Sequence, residues 1–224
     1  MAKPQCLLLL SSSSEGGIQA QSFIHAFTLA HSAFNVQITS KEGRLGDFVG
    51  NDENSKRWIS DFRSKPYSMP LRLDAVEASR YAALLIPDCT GALYDLTKDR
   101  VLGAIIKHFV AEKKLICAIG SGVAALCSTK SSETKSSKWL FASYCLTAPS
   151  VYELARLSSF SSLPVILEDF IKDNAGKYTA SEAGAIHVVV DRCLITGQNE
   201  ASTIMAVQNL ILATNSRQGK HVGL

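Results

Sequence analysis

The stretch that most constrains this chain runs from Lys114 to Leu126. It begins with a short apolar run, Leu115 to Ile119, which has the length and composition of a strand buried in a parallel sheet. Gly-Ser-Gly follows at once, and then Val-Ala-Ala-Leu, which favours a helix start. A strand that turns into a helix on small residues is typical of a nucleophile elbow, whose apex lies at the positive end of the helix dipole. Here the apex is Gly120, so the sequence predicts an elbow without a nucleophilic side chain.

Apolar strand patterns and helical patterns alternate along the chain, which predicts an α/β fold with a mainly parallel sheet. Central strands are predicted at residues 7–10, 36–39, 84–87 and 115–119, helices at 18–31, 55–62, 96–111 and 202–213, and a final strand pair at 186–190 and 193–196. In the helix at 96–111 we expect Val101, Ile105, Ile106 and Phe109 to face inward. Loops 11–17, 87–93 and 120–122 should converge at the carboxyl ends of the strands, where ligands collect in such sheets.

Length and composition bound the class of protein. The 224 residues fit one domain, 1–224, with a polar tail at 214–224 and a polar surface loop at 128–138. Hydrophobic residues make up 46% of the chain, enough for a large core. A net charge of +3 without a basic stripe argues against direct nucleic-acid binding. The only apolar run near the N-terminus, residues 6–10, is too short for membrane insertion, which predicts a cytoplasmic protein.

The six cysteines form no CxxC pair, which favours buried free thiols over disulfides or a metal site. Cys117 lies inside the predicted strand before the elbow and is expected to be a structural thiol. No pair of histidines has metal-ligand spacing. The sequence therefore predicts neither a metal site nor a cofactor.

Four segments together resemble the ThiJ/PfpI superfamily, in its chaperone- and glyoxalase-like branch. They are the Pro-Asp-Cys-Thr-Gly-Ala run at 87–92 with Asp-Leu at 95–96, the elbow at 118–126, Leu-Pro-Val-Ile-Leu-Glu-Asp at 163–169, and Asp-Arg-Cys-Leu-Ile-Thr-Gly-Gln-Asn at 191–199. The resemblance extends from Cys6 to Ala213. It implies the flavodoxin-like three-layer sandwich of the class I glutamine amidotransferase relatives.

The departures from that pattern bear on activity. Where active relatives carry the elbow cysteine and a histidine after it, this chain has Gly120 and Ser121. Where relatives present paired glycines and a histidine, it has Asp88, Cys89 and Thr90. An anionic side chain beside an oxyanion hole opposes developing negative charge, and loss of a nucleophile alone costs several orders of magnitude in rate. The resemblance therefore implies a degenerate site and no catalysis.

Glu15 lies in the loop where relatives place a carboxylate against the nucleophilic cysteine. With no thiolate to act on, it is expected to be a solvated loop acid. Ser121 lies one position past the apex and is expected to cap the following helix. Two other functions stay open: a glyoxalase-, deglycase- or hydrolase-like enzyme that uses Cys89 or Ser121 as a displaced nucleophile, and a small-molecule sensor that uses the old pocket without turnover.

A vertebrate branch of the family is more closely similar, through residues 20–23, the helix at 57–63 and residues 122–127. That resemblance implies a non-catalytic, self-associating subunit of an endosome-associated, FERRY-like complex that links early endosomes to messenger RNA. The partners it implies are a second copy of the chain, as a dimer or higher homo-oligomer, and the other subunits of that complex.

Overall fold

A seven-stranded sheet forms the centre of the computed structural model, which describes residues 3–130 and 138–220. The strands are β1 Gln5–Leu10, β2 Ile18–Gln19, β3 Asn35–Ser40, β4 Phe48–Val49, β5 Leu71–Arg72, β6 Ala83–Ile86, β7 Leu115–Ile119, β8 Cys145–Leu146, β9 Lys177–Tyr178, β10 Val188–Asp191 and β11 Leu194–Gly197. The helices are α1 Ala20–Ala33, α2 Glu53–Arg63, α3 Ala92–Asp95, α4 Arg100–Ala111, α5 Val151–Leu154, α6 Leu167–Asp173 and α7 Thr203–Lys220, and short 3-10 segments join several of them.

The central sheet has the order β10-β11-β7-β6-β1-β3-β5, and every neighbouring pair is parallel except β10 with β11. From β1 the chain adds β3 and β5 on one side and then crosses to β6 and β7 on the other, so the topological switch point lies between β1 and β6. Crevices outside the carboxyl ends of the strands at such a point are the usual ligand sites of open α/β sheets. The predicted flavodoxin-like, mainly parallel sandwich is confirmed.

The central strands are apolar because both of their faces are covered. Five residues of β1, Cys6 to Leu10, and all of β7 are buried. Helices α1 and α7 pack against each other over the sheet, and α4 packs on the 3-10 helix Gly120–Thr129. The four predicted central strands are confirmed, and so is the sharp strand-to-helix turn at Gly120.

The predicted helix at 96–111 is wrong at its start. Asp99 caps α4, since its Oδ1 accepts the N–H of Leu102 at 2.9 Å, and residues 92–95 form the separate short helix α3. Val101 therefore lies in the first turn, 42% exposed, rather than facing inward as predicted. The other three residues expected on the inner face, Ile105, Ile106 and Phe109, are buried.

Two predicted boundaries also differ. The closing helix α7 continues through Lys220 instead of ending before residue 214, and Thr214 is buried in it, with its Oγ1 donating to Leu210 O at 2.8 Å. Residues 128 and 129, predicted as loop, belong to the 3-10 helix. Positions 131–137 of the predicted surface loop and 221–224 of the predicted tail lie outside the described residues. No helix in the described part of the chain is long and apolar enough to cross a bilayer.

Candidate functional site: an elbow filled by Asp88

Three loops meet at the carboxyl ends of β1, β6 and β7, as predicted. The N–H of Gly91 donates to the carbonyl of Gly17 at 3.0 Å, and the N–H of Gln19 donates to the carbonyl of Asp88 at 3.0 Å. The N–H of Ser121 donates to Oδ1 of Asp88 at 2.9 Å. These bonds join loops 11–17, 87–93 and 120–122 into one cluster.

Gly120 is the apex of the elbow. Its φ of +54° lies in the left-handed region that residues with a side chain rarely adopt. A Cβ at this position would lie 2.5 Å from Oδ1 of Asp88 and closer still to its Cγ and Oδ2. The Asp88 carboxyl therefore fills the volume into which the side chain of an elbow nucleophile would project, and only glycine leaves room for it.

Asp88 is held in place through its backbone as well as its carboxylate. Its N–H donates to Ser22 Oγ at 2.9 Å, and that hydroxyl is 2.8 Å from Thr203 Oγ1. Ser22 lies on α1 and Thr203 begins α7, so two helices of one layer fix the position of the loop. The residue is only 9% exposed.

Burial raises the pKa of Asp88 to about 7, and the negative charges of Glu200 and Glu153 add to this, although the N–H of Ser121 acts in the opposite direction. The carboxyl thus titrates near neutral pH. When it is ionised it carries a negative charge at the N-terminus of the 3-10 helix, where active elbows stabilise an oxyanion. The volume of the carboxyl excludes a nucleophilic side chain from the apex, and its negative charge opposes an oxyanion.

The predicted capping role of Ser121 is wrong. The N-cap position of the 3-10 helix is Ile119, and Ser121 is the second residue inside the helix, with its side chain 7% exposed. The cap comes from across the turn, because Asp88 accepts the N–H of Ser121 itself. A carboxyl oxygen in this position satisfies one of the unpaired N–H donors at the start of the helix.

Cys89, one of the two residues that could serve as a displaced nucleophile, is fully buried. Burial raises the pKa of its thiol far above the ordinary range, and the nearby charges of Asp88 and Asp95 raise it further. A nucleophilic cysteine needs the opposite environment, positive and partly exposed. Cys117 is also fully buried, as predicted for a structural thiol.

The remaining predicted site residues lie at the edge of this cluster. Thr90 is half-buried and packs against Gly16, where a Cβ would lie 2.8 Å from the carbonyl carbon of Thr90. Glu15 is exposed, which confirms the prediction of a solvated loop acid. Within residues 3–130 and 138–220, no three His, Cys, Asp or Glu side chains form a group that could hold a metal ion.

One carboxylate of this region was not singled out from the sequence. Glu153 accepts hydrogen bonds from the N–H of Gly184 at 2.8 Å, from Asn199 Nδ2 at 2.7 Å and from the N–H of Ser150 at 3.2 Å. Burial raises its pKa, but these donors outweigh burial and lower the pKa overall. The Ser-x-x-Glu spacing at 150–153 is a capping-box signal that could have identified it.

A cavity of about 550 Å³ lies beside the elbow rather than at it. Its lining combines apolar side chains from α3, the end of the 3-10 helix and the segment before α6 with three lysines that are far apart in sequence. Asp88, Gly120 and Ser121 are not part of the lining. The sequence did not predict this cavity.

No protein-family model matches the chain, but full-length relatives do. The Xenopus laevis protein named glutamine amidotransferase-like class 1 domain-containing protein 1 is 54% identical to this chain over 218 residues. The match covers 97% of this chain and 93% of the relative. The Homo sapiens protein of that name is 49% identical over 216 residues, covering 96% of each.

Solved structures show the same fold at low identity. Rapid Encystment Protein 24 KDa of Francisella tularensis superposes with a TM-score of 0.84 at 20% identity, covering 94% of this chain and 99% of its own. Glyoxalase III of Candida albicans has a TM-score of 0.78 at 17% identity, covering 94% and 97%. Drosophila melanogaster DJ-1beta has a TM-score of 0.63 at 15% identity, covering 96% and 91%. The elbow topology and these relatives together show that the chain belongs to the family of glutamine amidotransferase-like class 1 domain-containing protein 1, on the ThiJ/PfpI fold.

Proposed function

We propose that this protein is a non-catalytic binding subunit built on the ThiJ/PfpI fold. The observation that carries the proposal is the Asp88 carboxyl in the space of the elbow side chain, with Gly120 shaped to receive it. A carboxyl in that position leaves no volume for a nucleophile and opposes an oxyanion. The chain keeps the fold of the family, but at the position of the reactive side chain the Asp88 carboxyl packs against Gly120.

The rival function is an enzyme with a displaced nucleophile, and the fold likeness to a glyoxalase III keeps it worth testing. Cys89 would need a low thiol pKa and an open path to substrate, and burial gives it neither. Ser121 has the Asp88 carboxyl beside it, which accepts its backbone N–H and also interacts with its hydroxyl, but the side chain is only 7% exposed and has no open path to substrate. Neither side chain is exposed enough to meet a substrate.

We expect no turnover of methylglyoxal, glycated protein, peptide or glutamine above background from the purified protein. Gly120→Cys is expected to stay inactive, since its side chain would meet the Asp88 carboxyl and would lack the family's histidine. The assay should compare the wild type with Gly120→Cys and with the triple variant Asp88→Gly, Gly120→Cys, Ser121→His. Wild-type activity that disappears on Cys89→Ala or Ser121→Ala would establish the enzyme instead.

The proposal includes self-association, for which the sheet offers a suitable edge. β10 is the last strand of the sheet, and Val190 on it is 55% exposed, with Ile186 just before it 59% exposed. A sheet edge with exposed apolar side chains is a template for pairing with another chain. A second copy paired through β10 would cover these side chains.

Light scattering at micromolar concentration is therefore expected to give a multiple of the 24.2 kDa chain mass. Val190→Lys should shift the protein toward the monomer because a charge on an edge strand opposes pairing. Val101→Lys is the matched control, since Val101 is 42% exposed on α4, away from this edge, and should leave the mass unchanged. A monomer mass for the wild type would refute self-association.

The proposal further includes the endosome-associated complex that the sequence resemblance implies, in which this subunit would link early endosomes to messenger RNA through other subunits. Tagged protein recovered from cells should co-purify with a fixed set of partners and fractionate with early-endosome membranes. Recovery of these partners should then be compared between Val190→Lys and Val101→Lys. A loss of partners with Val190→Lys alone would show that their recovery depends on self-association. Quantitative recovery of the wild type alone, in the soluble fraction, would contradict membership of such a complex.

A further inference from the structure

The cavity beside the elbow has the size and position of a ligand site. Its volume of about 550 Å³ falls within the range of roughly 300–1,000 Å³ that is typical of small-molecule pockets. Lys41, which contributes to its rim, follows β3, and Asp95 in its lining is bonded to the loop after β1. The cavity therefore lies near the carboxyl ends of strands beside the switch point, where open α/β sheets bind ligands.

The floor of the cavity is apolar. Leu93 is buried, Val165 and Phe170 are half-buried, and Cys127 completes this surface from the end of the 3-10 helix. Phe170 is held by an edge-to-face contact with Trp139, with ring centroids 5.4 Å apart. A fixed aromatic ring and branched aliphatic side chains favour the apolar part of a ligand.

The rim of the cavity is positively charged. Lys98 is exposed and has no ion-pair or hydrogen-bond partner among residues 3–130 and 138–220. Lys130 has neutral partners within that part of the chain, the side-chain amide oxygen of Asn174 and the ring of Phe170, whose centroid is 5.9 Å from Nζ. Lys41 is compensated, because its Nζ lies 3.6 Å from Asp99 Oδ2. Within residues 3–130 and 138–220, two ammonium groups at the rim are therefore without a paired carboxylate.

Among the described residues of the lining, the acidic side chain is that of Asp95, and it is bonded to the loop after β1. The carboxylate of Asp95 accepts the hydroxyl of Ser11 at 3.0 Å and the N–H of Ser12 at 2.7 Å, so it is bonded into loop 11–17. Burial also raises the pKa of Asp95 above its ordinary value. In the described part of the lining, three lysines face one aspartate, so the rim is positive on balance.

We propose that this cavity binds a small, soluble amphipathic anion. Its acyl chain or ring would lie against Leu93, Val165 and Phe170, and its phosphate or carboxylate would lie at the rim formed by Lys98 and Lys130. Binding involves no bond making, and it needs neither the elbow nor self-association.

The test is calorimetric titration of the full chain with octyl phosphate, and with octyl glucoside as the neutral probe of equal chain length. We expect sub-millimolar binding of octyl phosphate and at least about tenfold weaker binding of octyl glucoside. Lys98→Gln and Lys130→Gln should each weaken octyl phosphate about three- to tenfold and leave octyl glucoside unchanged. Lys107→Gln, on an exposed position of α4 outside the lining, is the matched control and should stay within about twofold of wild type.

Val165→Trp should abolish binding of both probes by filling the floor, with an unchanged melting temperature as evidence of folding. If that variant does not fold, Thr97→Phe, which changes a half-buried residue of the same lining, takes its place. Equal loss from Lys107→Gln, equal affinity for the two probes, or no binding of octyl phosphate would overturn the proposal. Binding only to phosphatidic acid vesicles, and not to dissolved octyl phosphate, would also overturn it by assigning the anion site to a membrane surface.

Discussion

Gly120→Ala is expected to lower the free energy of unfolding by about 3 kcal/mol, a large effect for a single methyl group. Two costs add. A side chain at φ +54° costs about 1–2 kcal/mol because it is left-handed backbone. Overlap of the new Cβ with the Asp88 carboxyl costs about 1–3 kcal/mol more, as overpacking in a filled interior does. Urea denaturation followed by circular dichroism measures the sum.

Gly184→Ala is the matched control for the backbone term. Gly184 has φ +79°, also left-handed, but a Cβ there would meet no atom within 4 Å. We expect it to cost about 1 kcal/mol, from backbone conformation alone. Equal costs at positions 120 and 184 would mean that Asp88 does not occupy the apex.

Asp88→Asn is expected to stabilise the protein increasingly as the pH rises from 4 to 8. Burial raises the pKa of Asp88 to about 7 from an ordinary value of 3.8, so the folded state holds the proton more tightly than the unfolded chain. The wild type therefore has no penalty from this group at pH 4, loses stability as the pH rises through 7, and carries the full penalty above it. A pKa near 7 corresponds to on the order of 4 kcal/mol by pH 8. Asparagine keeps an oxygen that can accept the N–H of Ser121 and does not ionise.

The measurement is the difference in unfolding free energy between Asp88→Asn and wild type at several pH values, in which the other titrating groups cancel. Asp52→Asn provides a control without a pH trend in this range. The N–H of Ser55 donates to Asp52 and lowers its pKa, so its contribution is already complete above the ordinary value of 3.8, and the difference between that variant and wild type should stay nearly flat from pH 4 to 8. A difference for Asp88→Asn that stays flat between pH 4 and 8 would show that the carboxyl is not confined in the elbow.

The parts of the fold that the sequence predicts are those set by local pattern. The run at 115–119 is a strand because it is short, apolar and ended by glycine, and the same reasoning finds β1 and β6. Convergence of the three loops follows from the parallel order of those strands. The pattern at 96–111 does not separate α3 from α4, although Asp99 is a good N-cap, and Val101 lies in the exposed first turn that Asp99 caps.

The parts that could not be predicted depend on pairs that are distant in sequence. Position 88 was recognised as an acid near the elbow, but nothing local shows that its carboxyl fills the volume left by Gly120. That geometry also explains why Ser121 does not cap its own helix. The lysine rim could not be predicted from the sequence either, because residues 41, 98 and 130 are far apart in the chain and come together only in the folded protein.

The claim that Asp88 has replaced the elbow side chain is tested most directly by a double-mutant cycle. Gly120→Ala is measured in the wild type and in an Asp88→Ala background, which removes the carboxyl but keeps a Cβ at position 88. We predict a coupling free energy of about 2 kcal/mol, with the cost of Gly120→Ala falling in that background to the cost of Gly184→Ala. A cost of Gly120→Ala that is the same in both backgrounds, within about 0.5 kcal/mol, would contradict the account.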